Sequence, residues 1–287
     1  MVNNKFPSIL SKMEKLNVFI FLFISLFILL LFIIYITQKY YFTNKIIESF
    51  YSLSEEESAN NRVIPLNIFQ TWSTSNLPSN MQKCVDKLKS ANPEFKYYLF
   101  NDVQCYDYIK NNYELDVLNA FDTLVPGAFK ADLFRYCILY KEGGIYIDIK
   151  FYTSNGVKLI NFTDKEYFVR DIDFSGKGIY NAFMICKPGN PILKKCIDQV
   201  VENVKNRYYG KSQLYTTGPL LMRHFFSQEE INKFELYLYI INDKKDVSIY
   251  YKDKPILEIY NEYRKEQKIG KNQNYHDLWV QKSIYKD

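Results

Sequence analysis

The sequence lacks the short motifs that mark several classes of hydrolase. Neither HxE nor HExxH occurs among the 287 residues, and GxSxG is also absent. Zinc hydrolases and serine esterases are therefore excluded as simple alternatives, because their ligands or nucleophile stand at such spacings. The GKG tripeptide at 176–178 is too short for a phosphate-binding P-loop, and we interpret it as a hairpin turn.

Paired cysteines are also missing. None of the five cysteines belongs to a CxxC motif, so a zinc knuckle is not expected. An odd number of thiols cannot pair completely within one chain. Cys137 falls in a predicted core helix, where a buried free thiol is the usual outcome. The sequence leaves the redox compartment open.

The sequence also lacks a concentrated basic stripe. The formal charge is only +5, and the lysines are scattered among acidic residues. This balance suits solubility or an anionic ligand and argues against a nucleic-acid partner. The hydrophobic content of 47% is enough for a sizeable core.

The first 62 residues predict a membrane anchor and a stem. Residues 18–37 carry no charge, and a helix of that length covers roughly the 30 Å hydrocarbon core of a bilayer. We assign 1–17 to a short cytosolic tail, 18–37 to the anchor and 38–62 to an acidic, Ser/Asn-rich stem. A cleaved signal peptide is the alternative, but its apolar region is normally shorter and no suitable cleavage site follows.

From residue 63 onward, strand and helix patterns alternate. This order predicts an α/β fold with a mostly parallel sheet flanked by helices. Strands are predicted at 63–72, 95–100, 145–147, 167–174, 179–189, 235–241 and 247–251. Helices are predicted at 81–90, 103–111, 115–121, 127–142 and 192–208, with a further one starting at 219. Ligands of such sheets bind at the carboxyl ends of the strands.

In one stretch, Phe129 to Phe151, core packing alone does not explain the placement of the charged residues. Asp132 and Arg135 are three residues apart and therefore neighbours on its predicted helix. They form either a functional ion pair or a solvated surface pair. Two glycines end the helix, and an apolar strand then runs into Asp148. A carboxylate at that place either opens a turn or needs a partner, a metal or a ligand hydroxyl.

The stretch resembles a known family of enzymes. ADLFRY followed by KEGGIYIDI is similar to the helix and strand of the family 32 glycosyltransferases, which have a DXD sugar-binding region. This family includes an α-1,6-mannosyltransferase group and is distantly related to the clostridial glucosylating toxins. The matching positions are Ala131, Asp132, Arg135, Tyr136, Gly143, Gly144, Tyr146 and Asp148. Weaker matches at IPLNIFQTW, NPEFKYYLFND, TTGPLLM and around His276 and Trp279 follow in the family's order.

The resemblance implies a GT-A fold and a retaining transfer of sugar from a nucleotide-sugar to a glycan or glycoprotein hydroxyl. It implies catalytic roles for Asp132, Arg135 and Asp148. Its donor-binding residues would be Gln70, Trp72, Asp132, Arg135, Tyr146, Asp148 and Lys150. Trp72 would stack on the donor base, or alternatively it is a core aromatic. His276 would lie near the diphosphate or metal, or alternatively it is a surface histidine.

The sequence departs from the family at Lys150. The family places there the acidic residue that binds Mn²⁺ or Mg²⁺, so a hard oxygen ligand is missing. Asp148 and His276 are the candidate metal ligands, with Asp171 or Asp173 as possible substitutes. Otherwise the Lys150 ammonium stands in for the cation, or the chain is a catalytically degenerate nucleotide-sugar or glycan-binding membrane protein. We therefore expect reduced metal dependence.

Together, anchor and resemblance predict a single-pass type II membrane protein. Its helix would contact membrane lipid, and a catalytic domain at 63–287 would lie on the non-cytosolic side. The expected compartment is a Golgi- or ER-like membrane, or a virus-associated one. The sequon at Asn161 is compatible with this placement, although chance sequons are frequent in Asn-rich chains.

Overall fold

A computed structural model describes residues 19–42, 45, 62–171, 178–241, 246–268 and 274–286. The chain divides into two compact units, 1–57 and 58–287, which we describe separately. The predicted tail and most of the predicted stem lie outside the described residues, so those boundaries stay predictions.

The first unit contains helix α1, Phe19–Phe42. Its 24 residues are long and apolar enough to cross a membrane, and no other helix of the described residues is. A signal sequence near an N-terminus would satisfy the same criterion. The helix is confirmed as a candidate membrane span, and the orientation of the chain remains a prediction.

The second unit is built around a nine-stranded sheet. The strands are β1 Asn67–Thr71, β2 Lys96–Phe100, β3 Gly144–Ile147, β4 Phe151–Thr153, β5 Tyr167–Arg170, β6 Ile179–Cys186, β7 Leu236–Ile240, β8 Val247–Tyr251 and β9 Lys254–Ile259. The helices are α2 Ser79–Ala91, α3 Asp102–Asn112, α4 Leu115–Thr123, α5 Gly127–Glu142, α6 Pro191–Lys205, α7 Pro219–Arg223, α8 Gln228–Asn232, α9 Tyr263–Glu266 and α10 Tyr275–Val280. The sequence did not predict β4, β9 or α8 to α10, because elements of three to six residues show too little periodicity.

The sheet is mixed, with the strand order β2-β1-β3-β6-β5-β7-β8-β9-β4. β1 pairs in parallel with β2 and β3, and β5 pairs in parallel with β7. The other five pairs are antiparallel. The α/β class with flanking helices is confirmed, whereas the prediction of a mostly parallel sheet is wrong. Crossover helices accompany β1 to β3, but short connections link β7, β8 and β9, and a short turn can join only antiparallel neighbours.

Alternate side chains of the central strands enter two different cores. In β3, Tyr146 joins the core beneath α3 to α6, while Ile145 and Ile147 join the core on the opposite face. Because successive strand residues point to opposite faces, a fully apolar strand such as β3 must be covered on both sides. The carboxyl end of β3 is therefore held rigidly between two packed layers.

Two adjacent glycines connect α5 to β3. Gly143 has φ +63° and Gly144 has φ +104°, in the region that side chains disfavour. A Cβ on Gly144 would lie 2.7 Å from the carbonyl oxygen of Asn67 in β1. The glycines thus allow both the tight turn and the close approach of β3 to β1.

Candidate functional site

A charged cluster lies at the carboxyl end of β3. Arg135 Nη1 lies 3.5 Å from Asp132 Oδ1, and its Nη2 lies 3.2 Å from Asp148 Oδ1. The guanidinium also covers the ring of Tyr146 at 4.6 Å from the centroid. Asp132 is 9% exposed and Arg135 5%, so the alternative of a solvated surface pair is wrong. Helix α5 and strand β3 therefore bring four predicted site residues together.

A buried polar network positions Asp132. Thr217 donates its hydroxyl to Asp132 Oδ2 at 2.8 Å, and the Asn181 amide donates to Oδ1 at 2.9 Å. The same amide donates to the Tyr136 hydroxyl at 2.7 Å, and the backbone carbonyl of Asn181 accepts from Arg135 Nη1 at 2.9 Å. Each partner of Asp132 is thus itself fixed by the buried environment.

Asn181 and Thr217 are the site residues that sequence reasoning missed. Thr217 belongs to the TTGPLLM stretch, whose resemblance to the family was a usable signal. Asn181 stands alone in the apolar strand β6. A polar residue at such a position needs a buried partner, and that requirement was the available clue.

Asp148 and Lys150 face each other within one turn. The Phe151 N–H donates to the Asp148 carbonyl at 3.0 Å, and this closure folds the lysine back. Lys150 Nζ lies 2.7 Å from Asp148 Oδ2. The ammonium is also 5.2 Å, 5.4 Å and 5.9 Å from the ring centroids of Phe151, Tyr180 and Tyr263. The lysine is thereby held by one carboxylate and three aromatic faces.

The two carboxylates differ in their electrostatics. Burial raises the pKa of Asp148, but the charges of Lys150 and Arg135 outweigh burial and leave that pKa below its ordinary value. Burial dominates at Asp132, where Arg135 and two hydrogen bonds offset it only in part, so the pKa of Asp132 is raised. Asp148 is consequently the firmly ionised member, which suits it to hydroxyl and cation contacts.

Gln70 and Trp72 lie beside the cluster at the carboxyl end of β1. Gln70 is fully buried, donates to the Asp148 backbone carbonyl at 3.4 Å and accepts from the Tyr97 hydroxyl at 2.7 Å. It supports the backbone beneath the site, and its direct contact with a donor stays a prediction. Trp72 is half-buried against the small core that contains Ile149, and its stacking on a base also stays a prediction.

His276 is exposed on α10, with its ring stacked on Trp279 at 6.5 Å between centroids. The preceding residue, Tyr275, packs on Phe129 of α5. This contact joins the start of α10 to the helix that carries Asp132 and Arg135. Burial and then the charge of Asp132 raise the pKa of Tyr275. The role predicted for His276 near a diphosphate or metal stays a prediction.

The residues present do not fit a divalent cation. Lys150 occupies the place of the family's metal-binding carboxylate, and its ammonium contacts Asp148 Oδ2. The other carboxylate oxygen faces Arg135. Both oxygens of Asp148 are therefore directed at fixed positive charges, which compete with a metal ion for the same lone pairs.

The described residues around Asp148 offer no assembled set of substitute ligands. Within the described ranges, no group of three or more His, Cys, Asp or Glu side chains is arranged to hold a metal. Asp171 is buried at the end of β5, where its N–H donates to the Gly178 carbonyl at 3.1 Å. Asp173 lies outside the described residues.

The sequence matches known proteins over this site. Residues 78–166 match the model of the "Glycosyltransferase sugar-binding region containing DXD motif". The chain is 29% identical over 170 residues to inositol phosphoceramide mannosyltransferase 3 of Schizosaccharomyces pombe, covering 57% of this chain and 45% of that protein. It is 36% identical over 91 residues to the initiation-specific alpha-1,6-mannosyltransferase of Candida albicans, covering 30% and 24% respectively. The matched region thus spans less than half the length of either relative.

Among solved structures, the PaToxG glycosyltransferase is similar at a TM-score of 0.45 and 18% identity, over 66% of this chain and 78% of that one. That likeness is too low to define the fold, which we assign from the strand pairing itself. The matched residues 78–166 contain Asp132, Arg135, Tyr146 and Asp148. These residues therefore lie in a segment that matches a glycosyltransferase sugar-binding region, and the resemblance to the family 32 glycosyltransferases is confirmed.

Proposed function

We propose that the chain is a membrane-anchored glycosyltransferase that moves a sugar from a nucleotide-sugar donor to an acceptor hydroxyl with retention of configuration. The observation that carries the proposal is the bridging of Asp132 and Asp148 by Arg135 inside the matched segment. The cluster lies at the carboxyl ends of β1 and β3, the edge where open α/β sheets bind ligands.

The groups present suit this chemistry. Ionised Asp148 accepts hydrogen bonds from sugar or ribose hydroxyls, while Arg135 and Lys150 supply positive charge for a diphosphate. In the transfer, the bond from the anomeric carbon to the phosphate oxygen breaks. The acceptor oxygen bonds to that carbon from the same face, and the acceptor proton passes to the departing phosphate oxygen. The protein's task is to orient both reactants and stabilise charge on the leaving diphosphate.

Mannose is the sugar to test first. Both relatives described above are mannosyltransferases, and one is named for inositol phosphoceramide as its substrate. We therefore extend the proposal to GDP-mannose as donor and to a glycan, glycoprotein or inositol phospholipid hydroxyl as acceptor.

The test is a donor screen with the full chain in detergent. UDP-glucose, UDP-galactose, UDP-GlcNAc and GDP-mannose are each supplied with a mannosylated glycan or inositol phosphoceramide, with and without Mn²⁺. Release of nucleoside diphosphate together with a glycosylated product supports the proposal. Failure of all four donors to bind or react would overturn it.

A second candidate function is binding of nucleotide-sugar without turnover. The ion pair of Lys150 with Asp148 favours it, because that carboxylate is already partnered. Tight donor binding in the same screen, with no diphosphate released under any acceptor, would establish this alternative.

The membrane placement is tested separately. We infer that α1 stays in the mature protein and anchors it as a type II protein with residues 63–287 on the non-cytosolic side. Resistance of the chain to alkaline carbonate extraction, with protease protection of its C-terminus in sealed vesicles, is the expected result. Release into the soluble fraction as a shortened chain would show that a signal peptide was cleaved.

A further inference from the structure

We propose that the Lys150 ammonium replaces the divalent metal, so that this site binds its nucleoside diphosphate without Mn²⁺ or Mg²⁺. The inference rests on the proposed function, because it concerns the diphosphate of the same donor. It explains the lysine at the second acidic position of the DXD pattern as a replacement for the metal ion.

The first argument is position. Lys150 follows Asp148 by two residues in one closed turn, so its head group lies where a cation would contact Asp148. The separation of 2.7 Å is that of a charge-assisted hydrogen bond. An ammonium has three donors, and the carboxylate uses one of them. The Tyr180 hydroxyl competes for a second donor, and the third is left for a phosphate oxygen.

The second argument is rigidity. Three aromatic rings, those of Phe151, Tyr180 and Tyr263, approach the ammonium from strand β4, strand β6 and helix α9. Lysine side chains in solvent lose considerable rotamer freedom when they bind a ligand. Here folding already orders the Lys150 side chain, so ligand binding costs little further rotamer entropy.

The third argument is charge. Arg135 and Lys150 flank Asp148 on its two oxygens. With Asp132, the other partner of Arg135, the formal charges of the cluster balance, and the two cations are the groups beside the partly open Asp148. Lys150 keeps 15% of its side chain exposed and Asp148 22%, which leaves both open to a ligand. Two fixed cations beside a partly open carboxylate suit an anionic diphosphate.

The experiment measures nucleotide and metal binding by the full chain in detergent. UDP and GDP are titrated by calorimetry in EDTA and again in Mn²⁺. We expect the dissociation constant of the better ligand to change less than about threefold, a difference well under 1.4 kcal/mol. Nucleotide binding that is abolished by EDTA and restored by Mn²⁺ would overturn the inference while leaving the proposed function intact. If neither nucleotide binds under either condition, and the donors also fail to bind, the proposed function and this inference fall together.

Variants give an independent readout. Lys150→Asp recreates D-x-D, and we expect it to bind Mn²⁺ detectably by electron paramagnetic resonance and to bind nucleotide only in its presence. The matched control is Lys165→Asp. It removes the lysine of the Lys165–Glu235 ion pair, which lies just before the first residue of β5. Equal Mn²⁺ binding by the wild type and Lys150→Asp would contradict the inference.

A neutral variant covers the case in which Lys150→Asp does not fold. Lys150→Gln keeps a polar side chain that is one atom shorter and removes its charge. We expect nucleotide affinity in EDTA to fall about 10- to 100-fold, the range for a hydrogen bond to a charged group. Affinity unchanged from the wild type would show that the ammonium does not contact the diphosphate.

Discussion

Asn181 and Asp132, which are 49 residues apart in the chain, are joined by a hydrogen bond of 2.9 Å in a buried network. Through its backbone carbonyl, Asn181 also accepts from Arg135, so one residue of β6 contacts both charged residues of α5. The charged face of the helix therefore depends on a strand that follows it in sequence.

Replacing Asn181 by Leu should impair the site more than the fold. The change leaves the Asp132 carboxylate short of a buried donor, which costs about 1–3 kcal/mol. We expect the affinity for nucleotide or the kcat/KM of transfer to fall about 10- to 100-fold. The control is Asn92→Leu, another buried asparagine, which caps α2 and should lower stability without affecting ligand binding. Equal ligand affinity in both variants would contradict the positioning role.

Arg135→Lys should bind nucleotide more weakly although it keeps the positive charge. The arginine spans two carboxylates and covers the ring of Tyr146, whereas an ammonium is a point charge that cannot match that geometry. We expect at least a tenfold loss in nucleotide affinity, measured by calorimetry. Arg264→Lys, in the exposed pair with Asp246, should bind as the wild type does. Wild-type affinity in Arg135→Lys would show that only charge matters at this position.

Gly144→Ala should destabilise the protein severely. The residue has φ +104°, and a new Cβ would lie 2.7 Å from the Asn67 carbonyl oxygen. The backbone term alone costs about 1–3 kcal/mol, and displacement of β1 adds to it. Gly156→Ala is the control, since its φ is +78° but nothing lies within 4 Å of its Cβ. The measurement is the thermal midpoint, and an equal shift in both variants would rule out the steric contribution.

Glu266 should make the stability depend on pH. Its carboxylate accepts from the N–H and the amide of Asn80, the N–H of Met81 and the Tyr260 hydroxyl. The N-terminal end of α2 has no side-chain cap of its own, because its N-cap residue is Pro78, so Glu266 caps this end from α9. Burial raises the pKa of Glu266, but these hydrogen bonds outweigh burial and leave it below the ordinary 4.5. The stabilisation is therefore present above that pH and lost as pH falls through the lowered pKa.

Glu266→Gln should accordingly cost roughly 1 kcal/mol at neutral pH and progressively less in acid. The measurement is denaturant unfolding across the acid range. Glu229→Gln, in an exposed pair with Lys233, is the control and should differ little from the wild type. A penalty for Glu266→Gln that does not shrink in acid would contradict the capping role.

The five cysteines should be inert in the folded protein. All are free and buried, and burial raises their pKa values, that of Cys84 to about 12. At mildly alkaline pH the reactive thiolate is therefore scarce and shielded. We expect a thiol reagent to modify none of them in the native chain and all five after denaturation. Rapid reaction of a native thiol would show local opening around it.

Several features of the fold followed from local patterns. The helix 127–142, its termination by two glycines and the strand just before Asp148 all occur as predicted, because the helical period, the glycine breaker and the apolar run coincide there. The strand directions beyond β3 did not follow, since neighbours in a sheet are chosen by tertiary packing. The predicted strand 167–174 ends at Arg170 in the structure, Asp171 follows outside the strand, and residues 172–177 lie outside the described ranges.

The sequence by itself determined the apolar N-terminal helix, the α/β class and the positions of Asp132, Arg135 and Asp148 near one strand end. It also exposed the substitution at Lys150. Only the tertiary structure decided the partners: Asn181 and Thr217 on Asp132, and three aromatic rings around the Lys150 ammonium. Those partners come from 1 to 113 residues away in the chain. Local propensity determines which element forms, whereas the choice of side chains that meet depends on how distant elements pack.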